Sequence, residues 1–555
     1  MLVLGGYGGF GARLTHRLVG HGHSVLVAGR NAEKAAAFCA SVVGTTPIVA
    51  DRDGDIGRVL ADHRPDLLID AAGPFQGSGY QVALACAKAS VPYIDLADAR
   101  GFVVNIGTLN EAARAGNVPI ISGASSVPAL SGAVARHLAE GMDTVRSVEM
   151  AISASNRATS GVSVAAAILS YVGKPISLWR GGRWTQGWGW QELRRDSFRI
   201  PGKPPLPARW FALADVPDNE LMPDMLPGRP AVTFRAGTDI SLQTLGLWLI
   251  SWPVRWLRIA SLEKLAPLIP PLQRLTRFLG SDRSGMRVTL KGTIAGRRIE
   301  RSWILLADNG DGPEIPTLAA AILTEVLVAG KLPAGAYDAG RLLALRDFEP
   351  VFTSLSIDHD IAEAELPQPL YGRILSARFA RLPDAVRELH DICADGGAAG
   401  EAYVERGRSP AAGLIARVMG FPPAGKHALH VAFSERNGVE TWTREFGRHR
   451  LRSYLSERDG QLVERFGPLR FRFALVADPA SLEMQMRGWS WLGIPMPMLL
   501  APRSYAREWQ EGGRFRFDVS VSLPLIGLIV RYTGWLTPHA HAHIEGQSSR
   551  RASAR

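Results

Sequence analysis

Three glycines spaced Gly6-x-Gly8-x-x-Gly11 stand directly after the apolar residues 2–4. A helical pattern follows them, with Leu14, Leu18 and Val19 on one face. Strand, glycines and helix in that order make a turn that cradles the pyrophosphate of a dinucleotide. Gly6 is expected to make the tight turn, Gly8 to let the backbone approach the phosphates, and Gly11 to let the helix pack on the strand. Tyr7, Gly9 and Phe10 complete the turn. The first turn of the helix offers amides without carbonyl partners and a positive dipole end. A second apolar run, 24–28, ends at Gly29 and Arg30. Folds that bind NAD place an acid there for the ribose 2′-hydroxyl, whereas a guanidinium matches a 2′-phosphate. NADP(H) is therefore favoured over NAD(H). Asp51, at the end of a third strand, is positioned to meet the adenine amino group. Ala72, Gly73, Pro74 and Phe75 follow a fourth strand, and small residues at that strand end leave room for a ligand.

The chemistry expected of such a site is hydride transfer, in which the cofactor reacts and the protein orients it and supplies at most one proton. Tyr80, Asp95, Asp98 and His137 are the nearest titratable residues, each equally readable as structural, so no catalytic residue is assigned. The chain has no Ser/His/Asp constellation, no zinc-type His spacing and no phosphate-binding P-loop. No metal site is expected.

These residues need strands to hold them. Apolar runs alternate with helical patterns through residue 122, which predicts an α/β doubly wound parallel sheet of the Rossmann type over residues 1–140. The stretches GGYGGFG, AAGPF, YIDLAD and GASSVP fall in order along it. Together they resemble the saccharopine dehydrogenase-like NADP-binding family of oxidoreductases. The resemblance implies that Gly73, Pro74 and Phe75 lie by the nicotinamide and that Asp95 and Asp98 face the cleft. The amino-acid-binding residues of that family have no match here, so saccharopine is not the expected substrate.

Residues 141–350 read as an α+β substrate domain. It holds a strand at 144–154, a helix opening at Ala158–Val162, and a hairpin over 286–296 and 298–307. The aromatic stretch 181–190 either lines a cleft or forms a surface hairpin. Two apolar helical segments, 242–257 and 262–279, carry Trp248, Trp252 and Trp256 at four-residue spacing, which stacks them on one face. They either pack on the sheet or make a peripheral membrane contact, since Arg255, Arg258 and Lys264 flank them. A proline-containing linker is expected up to Pro369.

Residues 366–538 show short alternating runs separated by turn residues, which predicts a curved, mostly antiparallel β-sheet with helices. The pieces LYGRIL, VRELH, AYVERG, ETWTREFG, LVERFGPL, GIPMP, APRSYAREW, RFRFDV and LIGLIVRYTGWL resemble the domain family DUF4166. A curved sheet can enclose an apolar cavity for a lipid-like ligand. Glu440, Arg444, Glu464, Arg465 and Arg503 would then be its polar anchors, or would simply be solvated on the exterior. Residues 539–555, with His539, His541 and His543, read as a disordered tail.

Composition sets the remaining limits. The chain has 555 residues, 46% hydrophobic and 21% charged, too long for one core and too apolar for general disorder. Its three cysteines are far apart, which fits a cytoplasmic protein without disulfides. The net charge of +11 is mostly arginine spread along the chain, so no nucleic-acid partner is expected. The first strand begins at Met1, so no leader is expected, and no stretch is long and apolar enough for a membrane span. A homodimer is compatible with all of this. The leading reading is an NADP(H)-dependent oxidoreductase acting on a small, apolar or lipid-like substrate. The alternative is a non-catalytic nucleotide-sensing or lipid-binding protein that keeps the Rossmann domain as a scaffold.

Overall fold

The structure, a computed structural model, describes residues 1–157 and 161–539. The expected helix opening at Ala158–Val162 falls partly outside them, as does the tail from residue 540. In the N-terminal sheet, β1 (Leu2–Leu4) lies between β2 (Val25–Gly29) and β4 (Leu68–Asp70). β3 (Thr45–Val49) flanks β2, while β5 (Tyr93–Asp95) and β6 (Pro119–Ser122) continue beyond β4. All pairings are parallel. Helices cover both faces, so β1, β4, β5 and β6 are buried along their whole length, which is why they read as unbroken apolar runs. A seventh strand, Gly335–Asp338, returns from far along the chain and pairs with β6. Its Gly-Ala-Tyr-Asp sequence carries no apolar run, so nothing local marks it as a strand.

The middle sheet has seven strands around Thr144–Ala154. That strand pairs parallel with Ala231–Thr238 and antiparallel with Ser284–Ile294. Its edge is Ile357–Glu365, in the stretch expected as linker. Asp358, Asp360, Glu363 and Glu365 leave this edge charged, which blocks further pairing and hides the strand from an apolar pattern. The first two sheets share one core, in which Val134, Leu318 and Phe348 are all fully buried. The tryptophan helix spans Ser241–Trp256, with Trp248–Trp252 and Trp252–Trp256 ring centroids 6.4 and 5.5 Å apart. No helix among the described residues is long and apolar enough to cross a membrane.

The C-terminal sheet is antiparallel and eleven-stranded, and Leu469–Ala477 pairs with Ser481–Trp491 to close it into a barrel. The short helices Leu370–Leu375 and Asp384–His390 pack against one end, and helix Pro410–Val418 packs by the other. The barrel has its own core. The aromatic stretch proves to be a hairpin, Pro175–Arg180 with Arg183–Trp188, that docks on the barrel. Gly181 N donates to Asp395 Oδ1 (2.7 Å), and His430 Nε2 donates to Gly181 O (2.9 Å). Arg183 pairs with Glu445. Burial pushes the Asp395 carboxyl up to about 7, against the Gly181 amide that favours its charged form. Beside this junction Arg436 reaches Glu149 at 3.0 Å. Burial would raise the Glu149 carboxyl, but Arg436, Arg194 and Arg235 hold it down to about 2. His539, the first residue of the expected tail, is anchored: its amide donates to Gly397 O, and its ring lies 5.4 Å from that of His430.

Candidate cofactor cleft

A cleft of about 810 Å³ separates the carboxyl ends of the parallel strands from the middle sheet. Its floor is the glycine turn. The tight bend lies at Gly5 (φ 73°), one residue before the position expected to make it. A side chain there would be strained and would also sit 3.0 Å from Ala71 O. Gly8 N donates to Gly5 O (2.8 Å), closing the turn, and Gly8 caps the helix α1, Gly9–Gly20. A Cβ on Gly11 would lie 2.1 Å from Gly5 O, so only glycine lets α1 approach the turn. Tyr7, Gly8, Gly9 and Phe10 line the cleft, while Gly6 and Gly11 stand behind it as packing positions.

Tyr7 lies flat over β2: a Cβ on Gly29 would come within 2.4 Å of its ring, and its hydroxyl accepts from Asn31 N (3.1 Å). Arg30 lies beside it on the cleft, exposed and without an acidic partner among the described residues. Asp51 also lines the cleft, exposed, and accepts from Asp53 N (3.2 Å). Ala72, Gly73 and Pro74 form the next part of the wall, and Ser163 Oγ donates to Gly73 O (2.9 Å), drawing the middle domain onto it. Phe75 is buried behind the wall, 5.3 Å from the Phe102 ring. The far wall comes from the middle domain, with Ile152, Ser153, Ala154, Val164, Met286 and Ile315.

Arg52 was not singled out by the sequence reading, although it lies between Asp51 and Asp53. It lines the cleft and donates from Nε to Asp70 Oδ2 (2.7 Å) and from Nη1 to Ser78 Oγ (2.8 Å). Its guanidinium also lies 4.5 Å from the Phe75 ring centroid. Asp70 is fully buried and receives Ala72 N (3.0 Å), so the pair fixes the backbone that leads into Gly73. Burial raises the Asp70 carboxyl, and Arg52 opposes that shift.

None of the four titratable candidates lines the cleft. Asp95, expected to face it, is turned into the sheet, where it accepts from Gly123 N (2.8 Å), Ala97 N (3.0 Å) and Ser122 Oγ (3.0 Å). Burial, only partly offset by these donors, pushes its carboxyl up to about 7. Its three bonds tie β5 to the turn after β6, a role that the run of apolar neighbours could not disclose. Asp98 is exposed and meets Gln76 Nε2 (3.2 Å) outside the lining. Tyr80 donates to Phe102 O (2.6 Å), and His137 sits on the surface beside Glu140. In the barrel, Glu440, Arg444 and Glu464 turn inward, whereas Arg465 and Arg503 are exposed.

Residues 1–121 match the saccharopine dehydrogenase NADP binding domain, and residues 382–536 match DUF4166, a domain of unknown function. No curated protein matches the chain. Among solved structures, the L-glutamate-forming saccharopine dehydrogenase of Saccharomyces cerevisiae is similar at 12% identity and a TM-score of 0.46, over 65% of this chain and 99% of that one. A biliverdin reductase from a Synechocystis species, solved with biliverdin and NADP+, is similar at 11% identity and a TM-score of 0.27, over 62% and 93%. Rv2717c of M. tuberculosis is similar at 11% identity and a TM-score of 0.18, over 28% and 97%.

Proposed function

We propose, for a chain that begins with a saccharopine dehydrogenase-type NADP binding domain and ends in DUF4166, that it is an NADP(H)-dependent oxidoreductase acting on an apolar small molecule. The observation that carries the reading is the cleft itself: a glycine floor that side chains would fill, next to an exposed Arg30 that has no acidic partner among the described residues. The groups present fit the cofactor. The backbone of Gly8, Gly9 and Phe10, at the first turn of α1, would hold its pyrophosphate. Arg30 would take the 2′-phosphate, Asp51 the adenine, and Gly73 and Pro74 the nicotinamide side. When bound, the cofactor supplies the hydride acceptor or donor. The protein would bind, orient and exclude water. Ile152, Val164, Met286 and Ile315 make the opposite wall apolar, which supports a weakly polar substrate. Ser78, Ser126, Ser153, Ser155, Ser163 and Ser284 are neutral hydrogen-bonding residues of the lining.

Fluorescence titration with NADPH and NADH tests the reading. NADPH is expected to bind more tightly, and Arg30→Asp to weaken NADPH about tenfold or more through a lost charge-assisted contact, while NADH changes little. Equal losses for the two would refute the 2′-phosphate assignment. Binding of neither would sink the oxidoreductase.

A second element of the reading is peripheral membrane contact through residues 242–279. Leu242, Trp256, Leu275 and Phe278 are 76%, 70%, 71% and 76% exposed, and Arg258, Lys264, Arg274 and Arg277 lie among them. An apolar face edged by cations suits an anionic bilayer surface. Sedimentation with phosphatidylglycerol vesicles should carry the protein down, and a Trp256→Glu/Phe278→Glu variant should stay in the supernatant. An identical distribution of the two proteins would rule this contact out.

A further inference from the structure

The barrel encloses a second cavity, of about 380 Å³, separate from the cofactor cleft. That volume lies in the range of small-molecule sites, roughly 300–1,000 Å³. Its two ends differ in chemistry. The upper wall, toward helix Pro410–Val418, is built from Phe421, Phe466, Phe471, Met484, Met486 and Leu523. The loops at that end leave Trp491, Ile494 and Leu499 exposed, so the way in is apolar. The floor, toward helices Leu370–Leu375 and Asp384–His390, is polar.

The floor groups are largely committed to one another. Arg444 Nη2 lies 3.5 Å from Glu464 Oε1, and its Nη1 donates to Ser453 Oγ (2.9 Å). Glu508 Oε2 meets His390 Nε2 at 2.6 Å, and the His390 ring stacks on Tyr371 at 3.7 Å. Glu440 accepts from Trp442 Nε1 (3.0 Å). Two polar atoms of the lining are left over. Tyr371 Oη is buried without a hydrogen bond, and Glu464 Oε1 has only the 3.5 Å ion-pair contact with Arg444; Glu440 Oε1 and His390 Nδ1, outside the lining, are likewise without a hydrogen bond. Tyr371, Glu464 and Glu508 line the same cavity.

We propose that the barrel binds one uncharged, elongated apolar molecule ending in a hydroxyl, with its chain toward the open end and its hydroxyl on the floor. The two carboxyl groups of the lining are already engaged, Glu464 beside the Arg444 guanidinium and Glu508 on the His390 imidazole, while Glu440 stands outside the lining. A carboxylate head would add a further negative charge without a free partner. An ammonium head would have to compete with Arg444 for Glu464 and with His390 for Glu508, the only carboxyl groups among the described residues of the lining. A hydroxyl can donate to Glu464 Oε1 and accept from Tyr371 Oη at once. It gives Tyr371 Oη an acceptor and uses the second lone pair of Glu464 Oε1, leaving the contact with Arg444 in place. The site stands apart from the cofactor reading, and its test uses no nucleotide.

Calorimetric titration of the full chain with three ligands of identical chain and different head tests the proposal: farnesol, farnesoic acid and farnesylamine. Farnesol is expected to bind once per chain, at least tenfold more tightly than the acid or the amine. Tyr371→Phe should weaken farnesol at least threefold and leave the acid unchanged. Met484→Trp fills the cavity and Leu523→Trp narrows its mouth, and each should weaken farnesol at least tenfold. Where Met484→Trp does not fold, Leu523→Trp carries that arm. No saturable farnesol binding would overturn the proposal. So would an acid or amine that binds as well, or full binding in a plugged variant with a wild-type melting temperature.

Discussion

Gly11→Ala is expected to abolish NADPH binding and to cost the N-terminal domain about 3 kcal/mol, the upper end of the usual range for overpacking. The added methyl would lie 2.1 Å from Gly5 O, 2.8 Å from Gly5 C and 3.0 Å from Gly6 Cα. All three are backbone atoms of the turn, so no side-chain rotation relieves the clash. Either α1 slides away from β1 or the turn opens. α1 is held by Leu14 and Leu18, both fully buried, so sliding uncovers apolar surface. Opening breaks the bond from Gly8 N to Gly5 O and disperses the amides that would meet phosphate. Gly8→Ala provides the contrast. Its Cβ meets only Gly5 O, at 3.0 Å, so the fold should give slightly, while NADPH affinity falls at least tenfold because the methyl stands on the cleft side. Melting curves with nucleotide titrations on both variants check this. A Gly11→Ala protein with wild-type stability and affinity would show that helix and turn are not held as described.

Arg52→Met should destabilise the same domain by about 3–5 kcal/mol, the cost of leaving a buried charge without its partner. Asp70 is completely buried and the Arg52 side chain is 10% exposed, so water cannot replace the lost guanidinium. Asp70 would have to take up a proton or strain the Ala72 amide that it holds. The double variant Arg52→Met/Asp70→Asn should recover most of the loss, because no charge then remains to be compensated. Urea unfolding of the two single variants and the double variant at pH 7 gives the coupling. A double variant no more stable than Arg52→Met would contradict the pairing. NADPH affinity should fall in Arg52→Met as well, since Asp70 and Arg52 together fix the entry to Gly73.

These two sites show what the amino-acid order discloses and what it conceals. The glycine turn was legible because strand, turn and helix are consecutive, and their periodicities change within eleven residues. Even so, the left-handed residue is Gly5 rather than Gly6: spacing identifies the motif, while the bend depends on where β1 stops pairing with β4. Arg52 and Asp70 were on view as residues, but their bond joins the ends of β3 and β4, which are not neighbours in the sheet. Asp95 illustrates the opposite limit. An acid at a strand end suits a cleft, yet here three donors from its own and the adjoining strand end draw it inward. The barrel's strands were readable one by one from their alternation. Closure of the sheet was not, since it needs Leu469–Ala477 to pair onward to Ser481–Trp491. The interior direction of Glu440 and Glu464, against the exterior one of Arg465, follows from register alone.

The seventh strand of the parallel sheet bears on how a ribosome can make this protein. β6 ends at Ser122, and the strand that covers it begins at Gly335. Until residues 335–338 are made, the nascent N-terminal domain has a buried-type edge, Pro119–Ser122, with its outward backbone groups unpaired. Such an edge invites pairing with another chain. A fragment ending near residue 140 would carry this open edge permanently. The barrel, drawn from one continuous stretch, has no such dependence and can close as soon as its last strand emerges. The two halves of the molecule thus mature on different schedules, with the earlier-made half completed by a segment made much later.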